Sequence, residues 1–333
     1  MLRFIVFRLV GALIVLWLVS MVTFAIFQLA PLLTHTSPVY YYVGKVPPDP
    51  AQLKILEHSL GFDRSIPVQY WTWLKGIFGR NITGPVPSPV YCHFPCLGYS
   101  YRQNDTVGHL IWQALPVSLS LCVGAAVLWL IGGVLVGTIS ALKPRSIADR
   151  IGMVGSLAGV SLPIFFTGPL LLLLFEFKLQ WLPNPQYAPL TQDPAQWFRS
   201  MILAWISLAF LYAAIYARMT RSNMLETLGE DYMRTARAKG LPRRTVIVKH
   251  GLRAALTPVV TIFAMDFAML IGTTVITERV FNFRGLGYLA LQSVNTQDLP
   301  VILGVTLVAA VVLIVANAVV DIVYAMIDPR VRL

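Results

Sequence analysis

Asp266 is a lone charge in the apolar run Ala254 to Thr277. A carboxylate there is expensive unless it faces protein or water, so it is a candidate for meeting a passing cation. Protonation, or pairing with a Thr or Asn of a neighbouring helix, is an equally open account of it. Glu176, Glu278 and Asp321 lie near the ends of apolar runs, where solvation is available, and read as structural. Cys92 and Cys96 flank His93. Outside the cytosol such a pair oxidises readily. The alternative is metal binding through His93, but no second ligand cluster is near, so a local disulfide is the reading and no metal is assigned. Cys122 reads as a small buried apolar residue.

The densest set of polar groups runs from Thr227 to Pro242 and includes Glu230, Asp231, Tyr232, Arg234, Thr235, Ala236, Arg237, Ala238, Lys239 and Gly240. Thr227 and Glu230 stand at capping-box spacing. Acidic residues then occupy the first turn and Arg237 and Lys239 the last, which suits the helix dipole. Gly240 can take the left-handed cap and Pro242 forbids continuation, so the spacing predicts a short, sharply bounded helix. A second basic stretch, Arg243 to Arg253, includes Arg244 and leads to Pro258. A helix held between two spans suits transmission of force, and a solvated inside loop is the alternative that the pattern leaves open.

Catalytic signatures are missing from the sequence. It has no Gly-x-x-x-x-Gly-Lys-Ser/Thr loop, no His-Glu-x-x-His and no Gly-x-Ser-x-Gly, and its five His are scattered. The chain is expected to be no enzyme and to bind no cofactor.

The elements that position these residues follow from hydropathy. Of the 333 residues 56% are apolar and 12% charged, with mean hydropathy +0.69. Six long runs qualify as helices crossing a ~30 Å hydrocarbon slab, which takes roughly 20 residues. They are Leu9 to Ala30, Leu110 to Leu142, Ile151 to Phe175, Ser200 to Ala217, Ala254 to Thr277 and Leu299 to Val320. Nothing alternates as barrel strands do, so the expected fold is an all-α integral membrane protein. The apolar run of residues 9–30 exceeds the ~7 to 15 residues of a signal peptide and reads as an anchor.

The net charge of +11 could suggest nucleic acid, but its distribution is that of a membrane protein. With a cytosolic N-terminus, the inside segments hold Arg3, Arg8, Lys143, Arg145, Arg150, Arg218, Arg221, Arg234, Arg237, Lys239, Arg243, Arg244, Lys249, Arg253, Arg330 and Arg332. The short outside loops hold only Lys178, Arg199, Arg279 and Arg284. That bias places both termini inside.

The expected division is residues 1–30 as N-terminal end and first span, 31–105 as an extracytoplasmic cap, and 106–333 as the core, with a cytosolic segment at 220–258. The cap is rich in Pro, Tyr and Gly, and only Asp49 to Trp73 offers helical periodicity, for one or two helices in an irregular element too small to fold alone. Gly133-x-x-x-Gly137 and Gly155-x-x-x-Gly159 read as packing faces, and Trp181 and Trp197 as interface anchors.

The segment Ala217-Arg-Met-Thr-Arg221, Leu225-Glu226 and Asp231-Tyr232-x-Arg234-Thr235-Ala236-Arg237-Ala238-Lys239-Gly240 resembles the coupling motif of ABC importer permeases. It is most similar to the first permease subunit of the dipeptide, oligopeptide and nickel importers. The likeness extends through Leu60-Gly-Phe-Asp63, Leu115-Pro116-x-Ser-Leu119, Asp149, Ser161-Leu-Pro163-x-Phe165, Trp181-Leu-Pro183, Glu278-x-x-Phe281, Gly285-Leu-Gly287 and Asp298-x-Pro300.

The resemblance implies a type I ABC importer permease fold of six transmembrane helices in a bacterial cytoplasmic membrane. It implies that Arg234 to Gly240 inserts into a cleft of a cytosolic ATP-binding subunit, with Arg243 and Arg244 in support. The implied partners are a second homologous permease, two ATPase subunits that bind the ATP and Mg, and an extracytoplasmic binding protein that delivers short peptides. Nickel-chelate or glutathione uptake is the alternative within the class, and a stand-alone carrier or channel the alternative outside it. Asp266 would then lie on the translocation path, able to meet the amino end of a peptide.

Overall fold

The computed structural model describes residues 2–34, 39, 49–82 and 90–327. Uninterrupted apolar sequence makes long helices, because amides in hydrocarbon must pair within their own segment. Helix α1 spans Leu2–Thr34 and contains the apolar run Val10–Ile26. Next come α2 (Pro50–Leu60), α3 (Ile66–Gly76), four short strands, and α4 (Val107–Leu142). The chain continues with α5 (Ile147–Ser161), α6 (Ile164–Leu172) extended by a π-turn at Leu173–Lys178, α7 (Pro194–Gly229) and α8 (Asp231–Ala238). It ends with α9 (Arg243–Thr245) extended by a π-turn at Val246–Leu252, then α10 (Arg253–Thr273), α11 (Val275–Val280), α12 (Leu286–Thr296) and α13 (Leu299–Ile327).

Among the described residues four helical stretches are long and apolar enough to cross a bilayer: Val107–Leu142, Pro194–Gly229, Arg243–Phe267 and Leu299–Val319. Helices α5 and α6 qualify only as a pair, bent by 108°. The expectation of one continuous helix from Ile151 to Phe175 is therefore corrected. Pro163 pushes the residue before it out of the helical region, and Leu162 takes φ −96°, ψ 116°. Helix α7, by contrast, far outruns the expected Ser200 to Ala217. Asp193 caps its start by accepting the amide of Gln196, and Arg218 and Arg221 pass without a break.

The chain forms two compact units, residues 1–117 with 284–314 and residues 118–283 with 315–333. In the first, Ser20 and Tyr70 hydroxyls lie 2.8 Å apart, the Gln28 amide donates to Gln69 at 2.8 Å, and Phe24, Tyr70 and Trp73 pack ring on ring. Gly61 ends α2 in the left-handed region, so the expected periodicity over Asp49 to Trp73 resolves into two helices. Antiparallel pairs β1 (Arg80–Ile82) with β2 (Val90–Cys92) and β3 (Tyr99–Ser100) with β4 (Asp105–Thr106) add strands that an all-α expectation lacks. Cys92 and Cys96 are joined by a disulfide just after β2. Asp298 is buried at the start of α13, where it accepts the Ser100 hydroxyl and the Val301 amide. Burial pushes its carboxyl above the usual range, against the lowering effect of those hydrogen bonds.

In the second unit α4 and α7 touch backbone to backbone. A Cβ added at Gly133 would lie 2.5 Å from Tyr216 Cβ, and one at Gly137 would lie 2.4 Å from the Ala217 carbonyl oxygen. Both glycines of the first small-residue pair are thus required by close approach. In the second pair only Gly159 is so placed, 2.8 Å from Ala214 Cβ of α7, and Gly155 faces open space.

Candidate functional site

The site begins where α7 stops. The expected capping box is corrected: Thr227 lies in the last turn of α7, and Glu230 is itself the residue that turns the chain, at φ −67°, ψ 149°, without a side-chain cap bond. The sequence from Asp231 then restarts as α8. Its last turn ends as predicted, with Gly240 in the left-handed region at φ +74° and Pro242 extended. Lacking a Cβ, Gly240 adopts that conformation without steric cost.

Helix α8 is strongly two-faced. Met233 and Ala236, three residues apart, are buried and pack with Val246 and Leu228. Asp231, Tyr232, Arg234, Thr235, Arg237, Ala238, Lys239 and Gly240 are all exposed, as are Glu230, Arg243 and Arg244. Arg234 approaches Asp231 at 3.6 Å between two exposed groups, a contact worth little. The Thr235 hydroxyl bonds back to the Asp231 carbonyl at 3.0 Å. A cluster of outward cations is thus mounted on a short helix by two apolar pegs.

What lies beneath those pegs is closely packed. Met224 of α7 is buried with Ala141 of α4 and Ala255 of α10. The Asn223 amide donates to the Ala255 carbonyl at 3.3 Å. Gly251, in the π-turn, faces the methyl of Met233 at 3.2 Å from where a Cβ would be. One turn and more before the break, Arg221 grips Asp149 at the start of α5 with Nε at 2.7 Å and Nη2 at 2.9 Å. The Arg145 amide adds 2.8 Å to the same carboxylate, and Ser146 caps α5. Any displacement of α8 therefore bears on α4, α5, α7 and α10 together.

The other sequence candidates lie elsewhere. Asp266 of α10 is half-buried and accepts the hydroxyl of Tyr216 of α7 at 2.8 Å. Cys92 and Cys96 belong to the first unit, apart from this set. Glu278 is fully buried, not solvated as expected, and is held by Ser118 at 2.6 Å and Thr274 at 3.3 Å. Sequence reasoning missed the Asp149–Arg221 pair. Its only signal was an acid at the inner start of one apolar run and a base at the inner end of another.

Long apolar helices, with a short basic helix between two of them in the chain, define a membrane protein. The family models agree. Residues 133–333 match the binding-protein-dependent transport system inner membrane component, and residues 1–122 match the N-terminal part of that membrane component. The chain belongs to this family of ABC importer permeases, as a membrane subunit that is not itself an ATPase.

A protein of Brucella ovis with a provisional designation as a peptide permease is 36% identical, covering 100% of this chain and 99% of its own. One of Brucella abortus, provisionally designated a peptide transport system permease, is 34% identical over 98% and 97%. The glutathione transport system permease of Pectobacterium atrosepticum is 34% identical over 100% and 99%. A crystallised amino acid ABC transporter aligns at 15% identity and TM-score 0.46, over 67% of this chain and 95% of that one.

Proposed function

We propose that the chain is the permease subunit of an importer of short peptides, worked by separate ATPases that dock on α8. The observation that carries this reading is the outward cation set of Arg234, Arg237, Lys239, Arg243 and Arg244 over the buried pegs Met233 and Ala236. A solvated inside loop has no need of apolar pegs, whereas a helix that transmits force does.

In this reading six helices span a bacterial cytoplasmic membrane, with α1 first and the α5–α6 pair as one bent span. Both termini are cytosolic and residues 31–105 form the extracytoplasmic cap, with 106–333 as the core and 220–258 as its coupling segment. The residues from Glu230 to Gly240 enter a cleft of an ATPase subunit, and ATP and Mg stay with that partner. A second permease and an extracytoplasmic binding protein complete the complex. The designations of the Brucella relatives support peptides as cargo, and the glutathione permease supports a small tripeptide within the same class.

Co-purification tests it. The tagged permease should bring down its co-expressed ATPases and lose them when residues 234–239 are scrambled. ATPase retained after scrambling would remove the docking assignment.

A further inference from the structure

We infer that Asp266 and the aromatic side chains around it form a binding site for the N-terminal ammonium of the transported peptide. The inference rests on the peptide reading above. Asp266 sits within a helical run apolar enough to lie in a bilayer, and its carboxylate is partly accessible. Tyr216, fully buried, donates to Oδ2 at 2.8 Å and holds the group in place. The Tyr216 hydroxyl is a neutral donor, so this bond brings no counter-charge to the carboxylate.

The Tyr216 ring that holds this carboxylate belongs to a chain of aromatic contacts. Trp129 stacks on Tyr212 at 4.6 Å and reaches Tyr216 at 6.3 Å and Phe263 at 5.8 Å. Phe263 meets Tyr216 at 6.5 Å and stacks on Phe267 at 5.9 Å. Phe263 and Phe267 bracket Asp266 in sequence, and they and Tyr212 are partly exposed. A carboxylate beside π faces is the chemistry that recognises an ammonium, by ion pairing and by cation–π attraction. No basic residue lies between Arg253 and Arg279, so α10 carries no cation beyond its first residue.

A peptide carries such a group at its N-terminus, and some carry a second on lysine. The closing experiment uses the full transport complex in cells and labelled tri-alanine, N-acetyl-tri-alanine and N-acetylated alanine peptides with and without a lysine. Rates for Asp266→Asn are expressed relative to wild type for each peptide, so the selectivity of the unchanged binding protein cancels. The expected result is a loss of about tenfold or more for free tri-alanine, the scale of one charge-assisted hydrogen bond, and under about twofold for the acetylated peptide. Asp266→Glu should stay within about threefold of wild type.

Equal loss on all peptides, no loss on any, or a loss confined to lysine-bearing peptides would each overturn the assignment. Should the wild type refuse acetylated peptides, Asp266→Glu decides alone: retention supports the site and a tenfold loss overturns it. ATPase co-purification with Asp266→Asn must stay intact, which separates failure here from failure of the docking reading. A wild type that imports none of the peptides would remove the peptide reading and this site with it.

Discussion

Asp149 receives two N–H groups of Arg221, at 2.7 and 2.9 Å, in a fork that ties the start of α5 to α7 eight residues before α7 ends at Gly229. The carboxylate is nearly buried and the guanidinium about a quarter exposed, at 6% and 26%. Removing either partner strands the other's charge against the helix ends, so each single variant should unfold at a lower temperature than wild type. Arg221→Lys should recover only part of this, since an ammonium cannot match two oxygens at once. Thermal unfolding of Asp149→Ala, Arg221→Ala and the double variant checks it. Additive losses would show that the pair contributes nothing of its own.

Close packing of α4 on α7 gives a prediction with an internal control. Gly137→Ala places a methyl 2.4 Å from the Ala217 carbonyl, and the helices must separate. Overpacking of this kind costs about 1–3 kcal/mol. Gly155→Ala meets nothing and should be neutral or mildly favourable, because alanine is the better helix former. Comparable losses in the two variants would mean that close approach is not what Gly137 provides.

Much of the fold was legible because hydropathy is read residue by residue and water exclusion dictates helix. The ends and partners were less so. Charge does not stop a helix, so α7 ran on past Arg218 and Arg221, while the bend at Leu162–Pro163 came from one ring that hydropathy does not weigh. Thr227 and Glu230 had capping-box spacing, but the preceding helix was long enough to absorb the threonine. The extent of α8 was readable from Gly240 and Pro242. Its two pegs needed the tertiary neighbours Leu228 and Val246 to be seen.

Those pegs separate seating from docking. Met233→Ala removes a fully buried side chain and should cost about 2 kcal/mol or more of stability. Arg237→Ala removes an exposed one and should leave stability within about 0.5 kcal/mol. In the docking reading Arg237→Ala nonetheless weakens ATPase association, measured by retention of the ATPase on the immobilised permease across a salt series. An unfolding temperature that falls as far for Arg237→Ala as for Met233→Ala would contradict the division of faces.

Asp298 gives a pH dependence whose sign can be worked out. Its carboxyl is pushed up chiefly by burial, and the bonds from Ser100 and Val301 and the charge of Arg102 only partly offset this. The native state therefore holds the proton more tightly than the unfolded chain, where an aspartate titrates near about 3.9. The contribution of that proton to stability is complete below the unfolded value and is lost as pH rises through the folded one. Asp298→Asn keeps the shape of the group and does not titrate. The advantage of wild type over this variant in unfolding temperature should thus be largest near pH 4 and shrink toward neutrality. Measured across that range on the purified permease, an advantage that grows with pH would mean that the buried carboxylate is stabilised in its charged form, with Arg102 and the helix start outweighing the loss of water.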